Sequence, residues 1–193
     1  MPRTAKFDRD LVLERAMQTF WNQGYCATSL TNLTETTELN PGSIYAAFKS
    51  KQGLFLATLD HYGRRSVEEI THTLSTAETP MTGLRKLFNQ LAGTANNTGP
   101  GRSCFLVNTV LEVTRHDPQV RESINRYFDI IESKIFHTLE AAQSSGELSN
   151  AKNPAAMATF IMTTIWGIRV LLVTGADQVR VDAVIQQLFD LLE

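Results

Sequence analysis

The chain has 193 residues, of which 42% are apolar, 20% charged and 8% aromatic, a composition that suits one compact body, or two small ones sharing a core, and excludes a disordered tail. Eighteen Lys and Arg face 20 Asp and Glu for a net charge of −2, which excludes a protein that coats nucleic acid or anionic membrane by bulk charge. Cys26 and Cys104 are too few for a disulfide framework and residues 1–8 lack the apolar stretch of a secretory signal, so a reduced, cytoplasmic setting is expected.

The charge is divided unevenly. Residues 1–65 hold eight basic and six acidic side chains, net +2, and residues 66–193 hold ten and fourteen, net −4. The positive end is the N-terminal one, an asymmetry that counts only beside other signals.

Taken in chain order, helical patterns dominate and no alternating strand pattern stands out. Leu13, Ala16, Met17 and Phe20 line one face of a first helix over about residues 8–23, which Gly24 stops, with Tyr25 placed to pack back on its end. Thr28 or Ser29 caps a short second helix carrying Leu30 and Leu33, which runs out near Glu38. Asn40 and Pro41 are an N-cap and a first helical residue for a third helix with Ile44, Tyr45 and Phe48. A fourth runs from about residue 50 to 75. Pro80 opens a fifth, closed by the loop-like stretch 93–101. A sixth spans about residues 103–114, and a seventh begins at Asp117-Pro118 and stops at 144–146. The eighth covers about 154–174 and the ninth 181–192. Residues 154–168 carry no charge, but Arg169 ends that run short of the ~20 apolar residues that cross a bilayer, so no membrane partner is expected. The run suits a helix buried on most of its circumference, in its own subunit or against another.

Three short helices with a tight turn at about residues 37–40 have the layout of a helix-turn-helix DNA reader, whose third helix enters the major groove. Pro41, Gly42 and Ser43 keep its first turn small and polar, so that backbone approaches base edges. Tyr45 offers a ring and a hydroxyl for a phosphate or a thymine methyl, while Ile44 and Phe48 face the core. Lys49 follows at the end of this helix. Lys51, where the fourth helix begins, is placed to meet a phosphate beside that helix's free amides. Trp21 reads as core packing.

The stretch Gly24-Tyr25-x-Ala27-Thr28-Ser29-Leu30-x-x-Leu33, followed by Asn40-Pro41-Gly42-Ser43-Ile44-Tyr45-x-x-Phe48-x-Ser50-Lys51-x-x-Leu54-Phe55, resembles the DNA-binding domain of the TetR family of bacterial transcriptional regulators. Residues 101–109 are similar to a Gly-Cys-Leu-Leu-Val-Asn-Thr stretch in one branch of that family. The resemblance implies an all-α chain of about nine helices. A helix-turn-helix domain at 1–52 is followed, through the connecting helix 4, by a helical-bundle ligand-binding and dimerisation domain at 53–193. It implies a homodimer on a palindromic duplex operator, a repressor released when a small molecule binds. By position it places Ser29, Tyr45 and Lys51 on phosphates and Thr31, Pro41, Gly42 and Ser43 nearest the bases, with Thr28 and Lys49 in the same region. Two features depart from the family pattern: Glu38 stands where Gly is usual in the turn, which would force it into a left-handed conformation, and Thr34, Thr36 and Thr37 stand where Ala is favoured in the second helix.

A single reading head recognises few base pairs, so two must be fixed about one helical turn apart. Phe160, Ile161, Thr164, Ile168 and Leu171 of the eighth helix, with Val184, Leu188 and Leu191 of the ninth, are the candidates for that two-fold interface. Phe88, Phe105, Asn108, Phe128, Trp166 and Arg169 offer the apolar-with-polar mixture of a small-molecule pocket. Cys104, near a helix start and two residues from Arg102, has a setting that would favour a reactive thiol, and an oxidant- or electrophile-sensing repressor is the alternative to a ligand-sensing one. A DNA-binding factor without an effector is a further alternative. No nucleophile elbow, phosphate loop, dinucleotide fingerprint or HExxH motif occurs, and neither Glu69-x-x-His72 nor Glu112-x-x-x-His116 completes a di-metal set. No catalytic residue, metal or cofactor is expected.

Overall fold

The computed structural model describes residues 7–93, 104–113 and 117–192. Among them the backbone forms nine α-helices and no strand: α1 (Arg9–Gln23), α2 (Leu30–Thr37), α3 (Pro41–Phe48), α4 (Lys51–Ser75), α5 (Pro80–Gly93), α6 (Phe105–Glu112), α7 (Pro118–Ser145), α8 (Pro154–Val173) and α9 (Gln178–Leu192). The all-α class and the helix order are those the sequence suggested. The expected ends of the sixth helix at Ser103 and Thr114, and most of the loop 93–101, lie outside the described residues.

Local chemistry sets most helix ends. Asp8 Oδ1 accepts from the amides of Asp10 and Leu11 at 3.0 and 3.1 Å to start α1, and Gly24, at φ +79°, ends it by donating its N–H to Phe20 O at 2.9 Å. Ser29, not Thr28, caps α2 in a reciprocal pair with Asn32. Asn40 Oδ1 accepts from Ser43 N–H at 2.8 Å, with Pro41 the first residue of α3. Between them Glu38 takes the left-handed conformation expected of it, φ +59° and ψ +20°, its exposed side chain paired with Arg15 at 3.0 Å. The ninth helix starts three residues before the expected Val181, because Asp177 Oδ1 accepts from the amide of Arg180 at 2.9 Å and caps it. The eighth extends past Arg169 to 20 residues, long and apolar enough by length and composition to cross a membrane, with 22% of its most apolar window buried.

The chain divides into two compact units, Met1–Arg65 with Asn108–Asn125, and Ser66–Val107 with Arg126–Glu193. The sequence boundary at 52/53 falls inside α4. In the first unit Leu13, Ala16, Met17 and Phe20 of α1 meet Leu33 of α2, Ile44 and Phe48 of α3, and Leu54, Phe55 and Leu59 of α4, all buried. Burial of each large side chain is worth about 1.5–3 kcal/mol before entropy is charged. Phe20 meets Phe55 edge-on at 4.9 Å, and Tyr25 lies 4.5 Å from the same ring. Trp21 is half-buried, edge-on to Tyr62 at 5.5 Å. The second unit is a helical bundle around Leu84, Leu87 and Phe88 of α5, Ile131, Ile135 and Leu139 of α7, Ile161 and Ile168 of α8, and Leu188 and Phe189 of α9.

Candidate nucleic-acid interface

Helix α3 is eight residues long and sorts its side chains by face. Ile44 and Phe48 point into the three-helix core, 0% and 5% exposed, which leaves Pro41, Gly42, Tyr45, Ala46 and Lys49 outward. Tyr45 is 52% exposed, a large amphipathic side chain left in water by the fold. Ser43 is half-buried, its amide tied to the Asn40 cap. Gly42 leaves the leading turn without a side chain, which allows a second backbone or a base edge to come close. Ser29 and Thr31 on α2 are exposed. Lys49, at φ +70°, stands at the exit of α3 with its ammonium donating to Ala46 O at 3.3 Å.

Two residues expected at the interface are turned inward. Thr28 is 1% exposed, and both its hydroxyl and its N–H donate to Gly24 O, at 2.6 and 3.2 Å, closing the turn out of α1. Lys51 does not present its ammonium outward. Its Nζ donates to Tyr25 O and to Thr28 O, both at 2.7 Å, and lies 4.5 Å from the Tyr25 ring centroid. These carbonyls follow the end of α1 and have no helical partner, and a half-buried cation satisfies them.

The same turn is held from its other side. Tyr25 N–H donates to Glu112 Oε2 at 3.1 Å and Cys26 N–H to Glu112 Oε1 at 3.0 Å. The positive φ favours glycine at position 24, and a Cβ there would lie 2.8 Å from Glu112 Oε1 and push that carboxylate aside. Gln52 Nε2 donates to Asp117 Oδ2 at 2.7 Å, while Asp117 Oδ1 caps α7 through the amides of Gln119 and Val120. Burial, then the Asp117 carboxylate, raise the Tyr25 phenol above its ordinary pKa. Sequence reasoning missed Glu112 and Asp117, since neither lies in a motif near the head.

The other expected sites are redistributed. Ile161, Ile168 and Leu188 are 0–2% exposed and belong to their own unit's core rather than to an interface. Phe160 (40%), Trp166 (36%) and Leu191 (58%) face outward, with Thr164, Leu171 and Val184 partly exposed beside them. Shallow apolar grooves follow this face, one along Trp166, Gly167 and Val170 and one along Phe160, Val184 and Leu191. Of the expected pocket residues, Phe88 and Phe105 are closed into packing, Phe88 edge-on to Phe189 at 5.7 Å. Phe128 lies 5.0 Å from Trp166, and Arg169 is half-buried. Asn108 belongs to the other unit. A cleft of about 470 Å³ in the second unit is lined instead by Thr71, Leu74, Glu78, Pro80, Lys134 and His137 among others. Cys104 is half-buried immediately before α6.

A three-helix head with a short, glycine-bearing third helix turned outward, joined to a helical bundle, defines a helix-turn-helix DNA-binding protein. The family description "Bacterial regulatory proteins, tetR family" matches residues 12–58, and "Tetracyclin repressor-like, C-terminal domain" matches residues 80–188. The chain belongs to the TetR family of bacterial transcriptional regulators. It is 29% identical to the HTH-type transcriptional repressor ComR of Escherichia coli over 91% of this chain and 84% of that one. A cysteine mutant of the TetR-family regulator CifR, solved with a 26-bp operator duplex, superposes with a TM-score of 0.82 at 29% identity, covering 96% of this chain and 97% of CifR. Reduced NemR of E. coli shares the fold, with a TM-score of 0.85 at 17% identity over 96% and 97% of the two chains.

Proposed function

We propose that this regulator is a cytoplasmic, non-enzymatic repressor that binds a palindromic operator as a homodimer and leaves it when a small molecule binds. The observation that carries the reading is the outward face of α3. Its leading turn, Pro41, Gly42 and Ser43, lies nearest the bases with Thr31, while Ser29, Tyr45 and Lys49 take phosphates. Phosphate contacts set register and base contacts set preference. DNA reading is assigned to residues 1–52, and ligand binding and dimerisation to 53–193 with α4 as connector.

The homodimer rests on the exposed apolar residues of α8 and α9, Phe160, Trp166, Val184 and Leu191, with Thr164 and Leu171. An apolar strip of this kind on a water-facing surface is covered by a second copy. The effector belongs to the second unit, whose 470 Å³ cleft is of small-molecule size. Phe128, Trp166 and Arg169 remain candidates for contact with it.

The test is selection of an operator from random duplexes, followed by binding across single-base variants. Ser43→Ala changes which variants are preferred, whereas Tyr45→Phe weakens all of them about equally. Loss of the same factor on every duplex from Ser43→Ala would overturn its base-reading role. A thiol-sensing reading is favoured by one observation, the half-buried Cys104 at the leading end of α6. A Cys104→Ser chain that still releases DNA on hypochlorite treatment would remove it.

A further inference from the structure

We propose that Glu112 is a positioning residue for operator recognition: it touches no DNA, but its carboxylate fixes the turn from which α2 and the reading helix α3 are launched. The proposal rests on the DNA-binding reading above.

The turn between α1 and α2 has to leave the helix axis within five residues, 24–28, before Ser29 opens α2. The N–H groups of Tyr25 and Cys26 and the carbonyls of Tyr25 and Thr28 fall between two helices, so neither helix supplies their partners. The structure meets both halves of the need with opposite charges. Glu112 takes two consecutive N–H groups, those of Tyr25 and Cys26, one on each oxygen. Lys51 takes the carbonyls of Tyr25 and Thr28. An anion bridging adjacent amides and a cation bridging nearby carbonyls leave the turn one conformation, since each bond is charge-assisted and directional.

The anion comes from far along the chain. Glu112 is the last residue of α6 and stands 86 and 87 positions from the groups it binds. Thr28, whose hydroxyl closes onto Gly24 O, extends the same network to the residue before the α2 cap. The exposed residues that follow, Ser29 and Thr31 and then the α3 face, depend for their direction on this turn. A head with a loosened turn keeps its charges and its core but no longer holds α3 at a single angle. Binding through phosphates alone survives, and base discrimination falls.

The test uses the full-length chain and a selected operator. Glu112→Ala is expected to weaken operator binding about tenfold, the equivalent of one charge-assisted hydrogen bond. Affinity for an unrelated duplex and the salt slope should stay unchanged, and Glu112→Gln, which keeps one acceptor oxygen, should fall between. Amide exchange checks the contact directly: Tyr25 and Cys26 are protected in the wild-type chain, both lose protection in Glu112→Ala, and only one of the two does in Glu112→Gln. A residue that only contributed stability would lower the melting temperature and leave the ratio of operator to unrelated-duplex affinity intact; that result overturns the proposal. Unprotected Tyr25 and Cys26 amides in the wild type overturn it too. A wild-type chain that selects no duplex at all would instead remove the DNA-binding reading on which the proposal stands.

Discussion

Replacing Lys51 by alanine separates two physical roles that a lysine in this place can have. The structure has the ammonium donating to Tyr25 O and Thr28 O at 2.7 Å each and lying over the Tyr25 ring. A hydrogen bond from a charged donor contributes roughly 1.5–3 kcal/mol, and a partly exposed cation–π contact about 0.5–1 kcal/mol. The two carbonyls regain water when the side chain is lost, so the net cost is about 2–3 kcal/mol rather than the sum. For a chain of this size that lowers the melting temperature by roughly 5–10 °C. Operator binding measured by anisotropy between 50 and 200 mM salt, on the order of the range where such slopes are read, supplies the second number. An internal lysine leaves the slope of log K against log salt unchanged, whereas loss of a phosphate contact flattens it by about 0.9. A flattened slope with the melting temperature retained would refute the structural assignment of Lys51.

Three further outcomes follow from individual contacts. Glu38→Gly removes left-handed strain at φ +59° and gives up only an exposed ion pair with Arg15, so chemical denaturation should show a gain of about 0.5–1 kcal/mol; a loss would mean the ion pair outweighs the strain. Neighbours on α8 should part company: Phe160→Glu shifts sedimentation toward monomer with little change in subunit unfolding, whereas Ile161→Ala, in the core, costs about 2–5 kcal/mol. The Glu147 carboxyl is held below its ordinary value of 4.5, first by the Thr79 hydroxyl, against the opposing effect of burial, and then by the Ser145 hydroxyl and the Met81 amide. Its folded value is depressed, so its contribution is present above 4.5 and is lost as pH falls through the folded value. Glu147→Gln should flatten the acid limb of a stability profile, and an unchanged limb would show that the hydrogen bonds do not favour the anion.

The parts of the fold that were legible in the sequence are those decided within a few residues. Asn40 with Pro41, Asp8 and Gly24 mark helix ends through backbone groups they reach themselves, and the spacing of Ile44 and Phe48 gives the inward face of α3. The sequence does not choose between Ser29 and Thr28 as the cap, because both carry a hydroxyl; in the fold Gly24 O claims the hydroxyl of Thr28, and Ser29 pairs with Asn32. Lys51 has a position that fits a phosphate, and only the folded turn shows two carbonyls already in its reach. Helices α8 and α9 are apolar around more than one face, so periodicity does not say whether Ile161 or Phe160 meets its own core. Glu112 and Asp117 are ordinary acidic residues until folding brings them to Tyr25, Cys26 and Gln52.

That long-range grip has a consequence for anyone who would treat the reading head as a detachable module. A fragment cut after α3 or within α4, or a chimera whose residues 108–125 come from another regulator, strands the amides of Tyr25 and Cys26 unless the new segment also brings a carboxylate to the place of Glu112. The seam of such a chimera therefore has to leave residues 108–125 with the head, where Glu112 meets the turn after Gly24 and Asp117 meets Gln52.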